Sequence, residues 1–298
     1  MSALARALAV HRVETEWWAD AAGRNRVIAA HAVTGVAELM ASFAVGLVGY
    51  GVASAALPPP WGASVGFGLG VASVVAASTG IGAGVDANTA FTLTATLLGY
   101  YSAVRATTAV LAQLAGYTLA ALLVRWIVGT GVLGDTATSV PTVSFAQHLV
   151  VETLLTALAA TVVLVLVQRP ARGATPGASK ALVVGAIVTA CLATSSQLGA
   201  GGSLNVARSL GPAFASGVYT RVWWFAVTNV LAALSVAVTM WAAEWWLPVA
   251  THWDQLRRAA IADADKAYNN CDGTVLIRSD AADNAPPVLL QEVALINQ

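Results

Sequence analysis

The sequence predicts an all-α membrane protein with six transmembrane helices and two re-entrant half-helices, arranged as an inverted repeat. Three observations carry that prediction. The 298 residues are 57% hydrophobic and only 10% charged, with a mean hydropathy of +0.71, whereas soluble domains carry about 25% charged residues. Six apolar stretches meet the roughly 20-residue requirement for a span. Two small-residue loops, 84–92 and 201–212, each follow a long apolar segment, reach an asparagine and open a short apolar helix.

The same composition excludes other classes. Net charge is zero, so no basic field points to nucleic acid. Cys191 and Cys271 offer neither a disulfide framework nor zinc spacing, and His11, His31, His148 and His252 are scattered, so no metal or cofactor is expected. No Ser-His-Asp set or phosphate loop can be placed, which argues against an enzyme. Arg6 interrupts the short apolar run at the N-terminus, so no signal peptide is expected.

In order, the spans are expected at about 33–56, 62–83, 101–126, 147–167, 180–199 and 221–247. The Asn88 segment falls between the second and third, the Asn205 segment between the fifth and sixth. About ten residues of helix former follow each asparagine, too few to cross. Such helices persist at membrane depth only where protein buries them or water lines them. Residues 1–31 and 249–298 are polar tails. Residues 252–268 are expected as a surface amphipathic helix, 284–287 as disordered, and Trp17-Trp18 and Trp245-Trp246 as interface anchors.

Charge sets the orientation. With both termini in the cytoplasm, 12 of the 15 Lys and Arg lie inside, leaving only Arg125, Arg208 and Arg221 elsewhere; the opposite topology violates the positive-inside rule. The halves repeat: helix, helix, half-helix, helix. Glu38 precedes Asn88 by 50 residues and Glu152 precedes Asn205 by 53. Three spans per half invert the second copy, so the half-helices approach the midplane from opposite faces. Small residues recur every fourth position at Gly62, Gly66 and Gly70, and again at Ala181, Gly185, Thr189 and Ala193. Such ladders let backbones approach and suggest a packed centre. Arg208, beside a broken helix in an apolar chain, marks a solute pathway as the default reading.

The strongest motif is Leu204-Asn205-Val206-Ala207-Arg208-Ser209-Leu210-Gly211-Pro212-Ala213. It comes with Ala37-Glu38, Phe67-Gly68-Leu69-Gly70, Ala112-Gln113-Leu114-Ala115-Gly116 and Glu152, in that order along the chain. On these residues the chain resembles the aquaporin, or major intrinsic protein, family over about residues 33–247. Both family boxes read Asn-Pro-Ala; here they read Asn88-Thr89-Ala90 and Asn205-Val206-Ala207. Proline at the first helical position presets φ and has no N–H to satisfy. Thr89 and Val206 lose that, while the asparagines remain as N-caps, so the half-helices should form with looser seams.

The resemblance implies a channel domain at 32–248, with repeats at about 32–126 and 146–248, working as a homotetramer with one pore per copy. It implies passive passage of water and small neutral solutes through a lipid bilayer, either a plasma membrane or an intracellular vacuolar membrane. Opposed half-helix dipoles would repel cations and protons, and Asn88 and Asn205 would donate N–H groups to solute. The outer constriction would comprise Phe67, Gly202, Arg208 and a fifth-helix position at Cys191, Leu192 or Ala193, with Leu192 at the centre of that register. A glycine and a non-histidine wall suggest an aperture for glycerol, urea, ammonia or hydrogen peroxide. Ser209, Ala213 and Trp224-Phe225 look like the water branch instead. Glu38 and Glu152 would anchor the re-entrant loops; a proton or cation site is the other reading. Asp86, in the inner vestibule, would either tune permeability with pH or sit in wet space. Two readings compete with a channel: a non-conducting scaffold, and an inverted-repeat secondary transporter.

Overall fold

The computed structural model describes residues 21–54, 61–80, 84–129, 140–168 and 177–246. These form α1 (Ala21–Ser54), α2 (Trp61–Gly80), α3 (Thr89–Leu97), α4 (Ala103–Val128), α5 (Phe145–Val163), α6 (Gly177–Gln197), α7 (Val206–Ser216) and α8 (Val222–Trp246). A π-turn at Leu164–Gln168 extends α5. No strand occurs among the described residues.

Among the described residues, five helices are long and apolar enough to cross a membrane, through Val27–Ser54, Ala103–Val128, Phe145–Leu166, Ser179–Gln197 and Val222–Ala243. The apolar stretch of α2, Gly62–Ser78, is shorter. The whole of α2 has 20 residues, about 30 Å at 1.5 Å per residue, which matches a hydrocarbon core. The largest departure from expectation is α1, which is already helical at Ala21 rather than at 33. Hydropathy marks where a helix leaves the bilayer, not where it stops, and 21–32 contains no proline to stop it. The amphipathic helix expected at 252–268, the 284–287 stretch, Trp17-Trp18 and Cys271 lie outside the described residues.

Local chemistry fixes several of the other starts. Ser102 caps α4 by accepting the Arg105 N–H. Ser144 and Gln147 form a capping box at α5. α3 and α7 run only nine and eleven residues, so neither spans. The long helices pair α1 with α4, α2 with α6 and α5 with α8; each half-helix packs on the last span of the other repeat, α7 on α4 and α3 on α8.

Both small-residue ladders sit at close helix contacts, on different faces of α2. Gly66 and Gly70 face Val52 and Val45 of α1. The α6 ladder meets the other side of α2: a Cβ on Gly68 would overlap Thr189 Oγ1 and lie 2.7 Å from the Gly185 carbonyl, and one on Gly185 would lie 2.7 Å from Ala72 Cβ. Two residues turn a helix by about 200°, so α2 offers 66/70 to one neighbour and 68/72 to the other. Leu111, Leu122, Leu154, Leu182 and Val238 remain exposed on the outside, as a lipid-facing surface requires.

Candidate functional site

Each re-entrant loop hangs on one buried carboxylate. Glu38, 1% exposed, accepts the Asp86 N–H at 2.8 Å and the Ala87 N–H at 2.9 Å, one on each oxygen. Glu152, fully buried, accepts the Ser203 N–H at 3.1 Å and the Leu204 N–H at 3.0 Å in the same pattern. The donors of the two loops lie 117 positions apart, as do the asparagines. A third donor completes each set: the Gln113 amide at 3.1 Å on Glu38 and the Ser195 hydroxyl on Glu152. Irregular backbone inside a membrane needs such partners, and every contact here is a donor.

The residue before each asparagine is left-handed: Ala87 at φ 47° and Leu204 at φ 54°. Neither is glycine, so each costs about 1–3 kcal/mol of strain. That strain accompanies a reciprocal seam. Asn88 Nδ2 donates to the Leu204 carbonyl at 3.2 Å, and Asn205 Nδ2 donates to the Ala87 carbonyl at 2.9 Å. The Tyr117 hydroxyl donates to the same Ala87 carbonyl at 2.8 Å and accepts from Asn205 Nδ2 at 3.3 Å. The other ends of the asparagines cap the helices. Asn88 Oδ1 accepts the Ala90 N–H; Asn205 Oδ1 accepts those of Ala207 and Arg208. The two half-helices therefore meet N-terminus to N-terminus, tied to each other through their caps.

The altered box positions bring two extra N–H groups into this seam, and both are satisfied. Thr89 N–H donates to Asn205 Oδ1 at 3.3 Å, and its hydroxyl to Gln113 Oε1 at 3.2 Å. Val206 N–H donates to Asn229 Oδ1 on α8 at 2.9 Å. Ala90 and Ala207 are buried beside them.

Arg208 stands on the first turn of α7, 7% exposed. Its guanidinium donates to the carbonyls of Gly202 and Ser203 and lies 3.9 Å from the centroid of the Phe67 ring, a cation–π contact. Gly202 contributes that carbonyl from φ 66°, with its α-carbon against α6, where a Cβ would lie 2.9 Å from the Leu192 carbonyl. Leu192 and Cys191 are both buried and Ala193 half-buried. Tyr50 packs edge-on to Phe67 and to Tyr117. Its hydroxyl donates to the Arg208 carbonyl at 2.6 Å. Pro212, four residues on, has no N–H to give that carbonyl, so Tyr50 fills a vacancy the helix itself creates.

Asp86 is half-buried, and both its oxygens are engaged. Thr92 donates to one at 2.8 Å and Tyr101 to the other at 3.1 Å. Arg105 lies over the Tyr101 ring and reaches the Gly84 carbonyl. The carboxylate thus pins the loop to α3 and to the start of α4. Among the described residues no group of three or more His, Cys, Asp or Glu is placed to hold a metal ion.

The structure brings Asn88, Asn205, Thr89, Val206 and Arg208 into one region with both glutamates behind them. Sequence reasoning missed Tyr50, Tyr117 and Asn229. Two signals were available. Pro212 inside a short helix orphans a carbonyl that needs a buried donor, and a side-chain amide in the middle of apolar α8 needs a reason to be there.

Fold and seam together define a class: a helical membrane protein of two inverted repeats, whose broken helices meet end to end inside the bundle. A family model described as major intrinsic protein matches residues 26–239. The chain is 33% identical over 195 residues to probable aquaporin TIP4-1 of Oryza sativa subsp. japonica, covering 64% of this chain and 72% of that one. It is 30% identical over 223 residues to aquaporin TIP4-3 of Zea mays, covering 72% and 88%. The aquaglyceroporin structure from Plasmodium falciparum superposes with a TM-score of 0.60 at 19% identity, covering 73% of this chain and 96% of that one, a likeness of fold. The chain belongs to the major intrinsic protein family, and is an integral, multi-pass membrane channel for water or small solutes.

Proposed function

We propose that the chain is a passive channel for water and small neutral solutes that excludes protons and cations, with Arg208 and Phe67 in its outer constriction. The observation that carries this is the reciprocal seam. Two helix N-termini, each equivalent to roughly half a positive charge, are held facing one another by Asn88 and Asn205. A cation approaching the midplane meets both. Arg208 adds a full positive charge one turn beyond.

The Phe67–Arg208 contact favours water over larger solutes. At 3.9 Å between guanidinium carbon and ring centroid, nothing passes between them, and the path runs beside the pair. Leu192 lines the α6 side of this reading, and Gly202 serves through its carbonyl. Glu38 and Glu152 act as anchors, since among the described residues each hydrogen bond they make comes from a donor on the loops or on a neighbouring span. Asp86 sits at the inner mouth. The charge bias supports both termini in the cytoplasm, and the family resemblance supports a homotetramer.

The test is stopped-flow light scattering of proteoliposomes carrying the parent or an Arg208→Trp plug. Fast shrinkage in a sucrose gradient, abolished by the plug, with slower glycerol and urea traces, is the expected result. Rates no higher than empty liposomes for every solute, with folded protein confirmed, overturn the channel reading in favour of a scaffold. A rate that saturates with solute and follows an ion gradient points to a transporter.

A further inference from the structure

A helix leaves its first four N–H groups without intrahelical partners unless the cap supplies them, and at the start of α7 the accounting can be completed. Ser209 N–H reaches the Asn205 carbonyl at 3.2 Å. Ala207 and Arg208 N–H groups reach Asn205 Oδ1 at 3.1 and 3.5 Å. That same oxygen also accepts Thr89 N–H from the opposite half-helix. It already takes three donors and has no capacity for a fourth. Val206 N–H is therefore the one group that α7 and its cap cannot serve, and it is served from α8.

We propose that Asn229 is the positioning residue for α7, its amide oxygen holding the Val206 N–H and thereby fixing the register of Arg208 at the constriction. The proposal deepens the channel reading, and rests on it for what Arg208 does.

Three further observations support it. Asn229 is fully buried. Its orientation is fixed by Val206, an N–H that can only donate, and this leaves Asn229 Nδ2 without a partner among the described residues. Stranding a buried amide donor is unfavourable, so the acceptor end is what the position supplies. Finally, the other repeat does something parallel. Gln113 stands 24 residues after Thr89 and receives its hydroxyl, while Asn229 stands 23 residues after Val206. In each repeat the last span sends a buried amide to the first residue of the half-helix. Gln113 has its amide nitrogen occupied by Glu38 and Thr92; among the described residues the Asn229 side chain makes only the bond to Val206. Arg208 lies two residues beyond Val206 on the same turn, so a shift at the helix start moves the guanidinium.

The test uses proline, which has no N–H. Asn205 is extended, at φ −157° and ψ 109°, a conformation compatible with a following proline. The full chain is prepared as parent, Asn229→Ala, Val206→Pro and the double variant. Each is read by the urea-to-water permeability ratio in liposomes and by SDS-driven unfolding. Asn229→Ala should change the ratio and shift the unfolding equilibrium about fivefold or more toward the unfolded state. Val206→Pro removes the need for the acceptor, so the double variant should match Val206→Pro in both readouts. Two results overturn the proposal: an Asn229→Ala protein indistinguishable from the parent, or the same loss in the proline background, which would place the role of Asn229 elsewhere. If Asn229→Ala cannot be recovered folded, the double variant decides: folded recovery supports the proposal and failure overturns it. If the parent does not conduct, the channel reading fails, yet the unfolding cycle still tests the bond.

Discussion

Replacing Glu152 with Gln keeps the side chain's size and removes one of its two acceptor oxygens. In the parent, one oxygen takes the Ser195 hydroxyl and the Ser203 N–H, and the other takes the Leu204 N–H. In the variant, the remaining oxygen can keep the first two, each weakened by about 1 kcal/mol through loss of charge assistance. The new NH2 then faces the Leu204 N–H, donor against donor, and stranding that buried group costs about 2 kcal/mol. Removing a buried charge offsets part of the total. A net loss of roughly 2–3 kcal/mol remains, or about 30- to 150-fold in the unfolding equilibrium. The loss falls on Leu204, whose carbonyl receives Asn88, so water permeability should drop with it. SDS titration followed by tryptophan fluorescence measures the first effect, and stopped-flow scattering the second. A Glu152→Gln protein within about 0.5 kcal/mol of the parent, with unaltered permeability, would refute the anchoring role and revive the reading of a proton or cation site.

Other perturbations probe the remaining contacts. Arg208→Ala removes the guanidinium from the Phe67 ring and should raise glycerol and urea permeability relative to water; an unchanged ratio removes Arg208 from the constriction. Tyr50→Phe strands the Arg208 carbonyl that Pro212 cannot serve and should destabilise by about 1–2 kcal/mol; parental stability in SDS unfolding would show that the carbonyl finds another donor. Gly68→Val forces atoms onto Thr189 and the Gly185 carbonyl and should cost about 1–3 kcal/mol or more by overpacking. Gly66→Val brings its Cβ within 2.8 Å of Val52 Cβ, an atom that no side-chain rotation moves away, and should also destabilise; parental stability in either variant would undo the assignment of that face of α2. If Asp86 tunes permeability, the parent's water permeability should change below neutral pH and the Asp86→Asn curve should stay flat. Matching curves would leave Asp86 as a loop pin to Thr92 and Tyr101.

The sequence by itself determined that this chain crosses a membrane several times and that it repeats, and it singled out two asparagines and one arginine that the structure brings into one region. Those are properties of local composition and spacing. An apolar stretch of span length, a small-residue loop and an intramembrane charge each signal without reference to a partner. Spacing also paired Glu38 with Asn88 and Glu152 with Asn205. It could not show which oxygen meets which N–H, or that Ala87 and Leu204 turn left-handed to present their carbonyls across the seam.

Most helix ends were legible to within a few residues, those of α8 to within one; the start of α1 was not. α1 runs to Ala21 because nothing local breaks it, and hydropathy is blind to helix outside the bilayer. The small-residue ladders were visible, but not which neighbour each face of α2 would meet. Above all, the loss of both box prolines was plain in the sequence, and looser seams were the expectation. Only the tertiary structure decided that the two liberated N–H groups would be taken up, one by Asn205 of the opposite loop and the other by Asn229 of α8. A backbone N–H at membrane depth must find an acceptor. Which acceptor it finds depends on side chains up to 116 residues away in sequence, which folding alone brings within 3.3 Å.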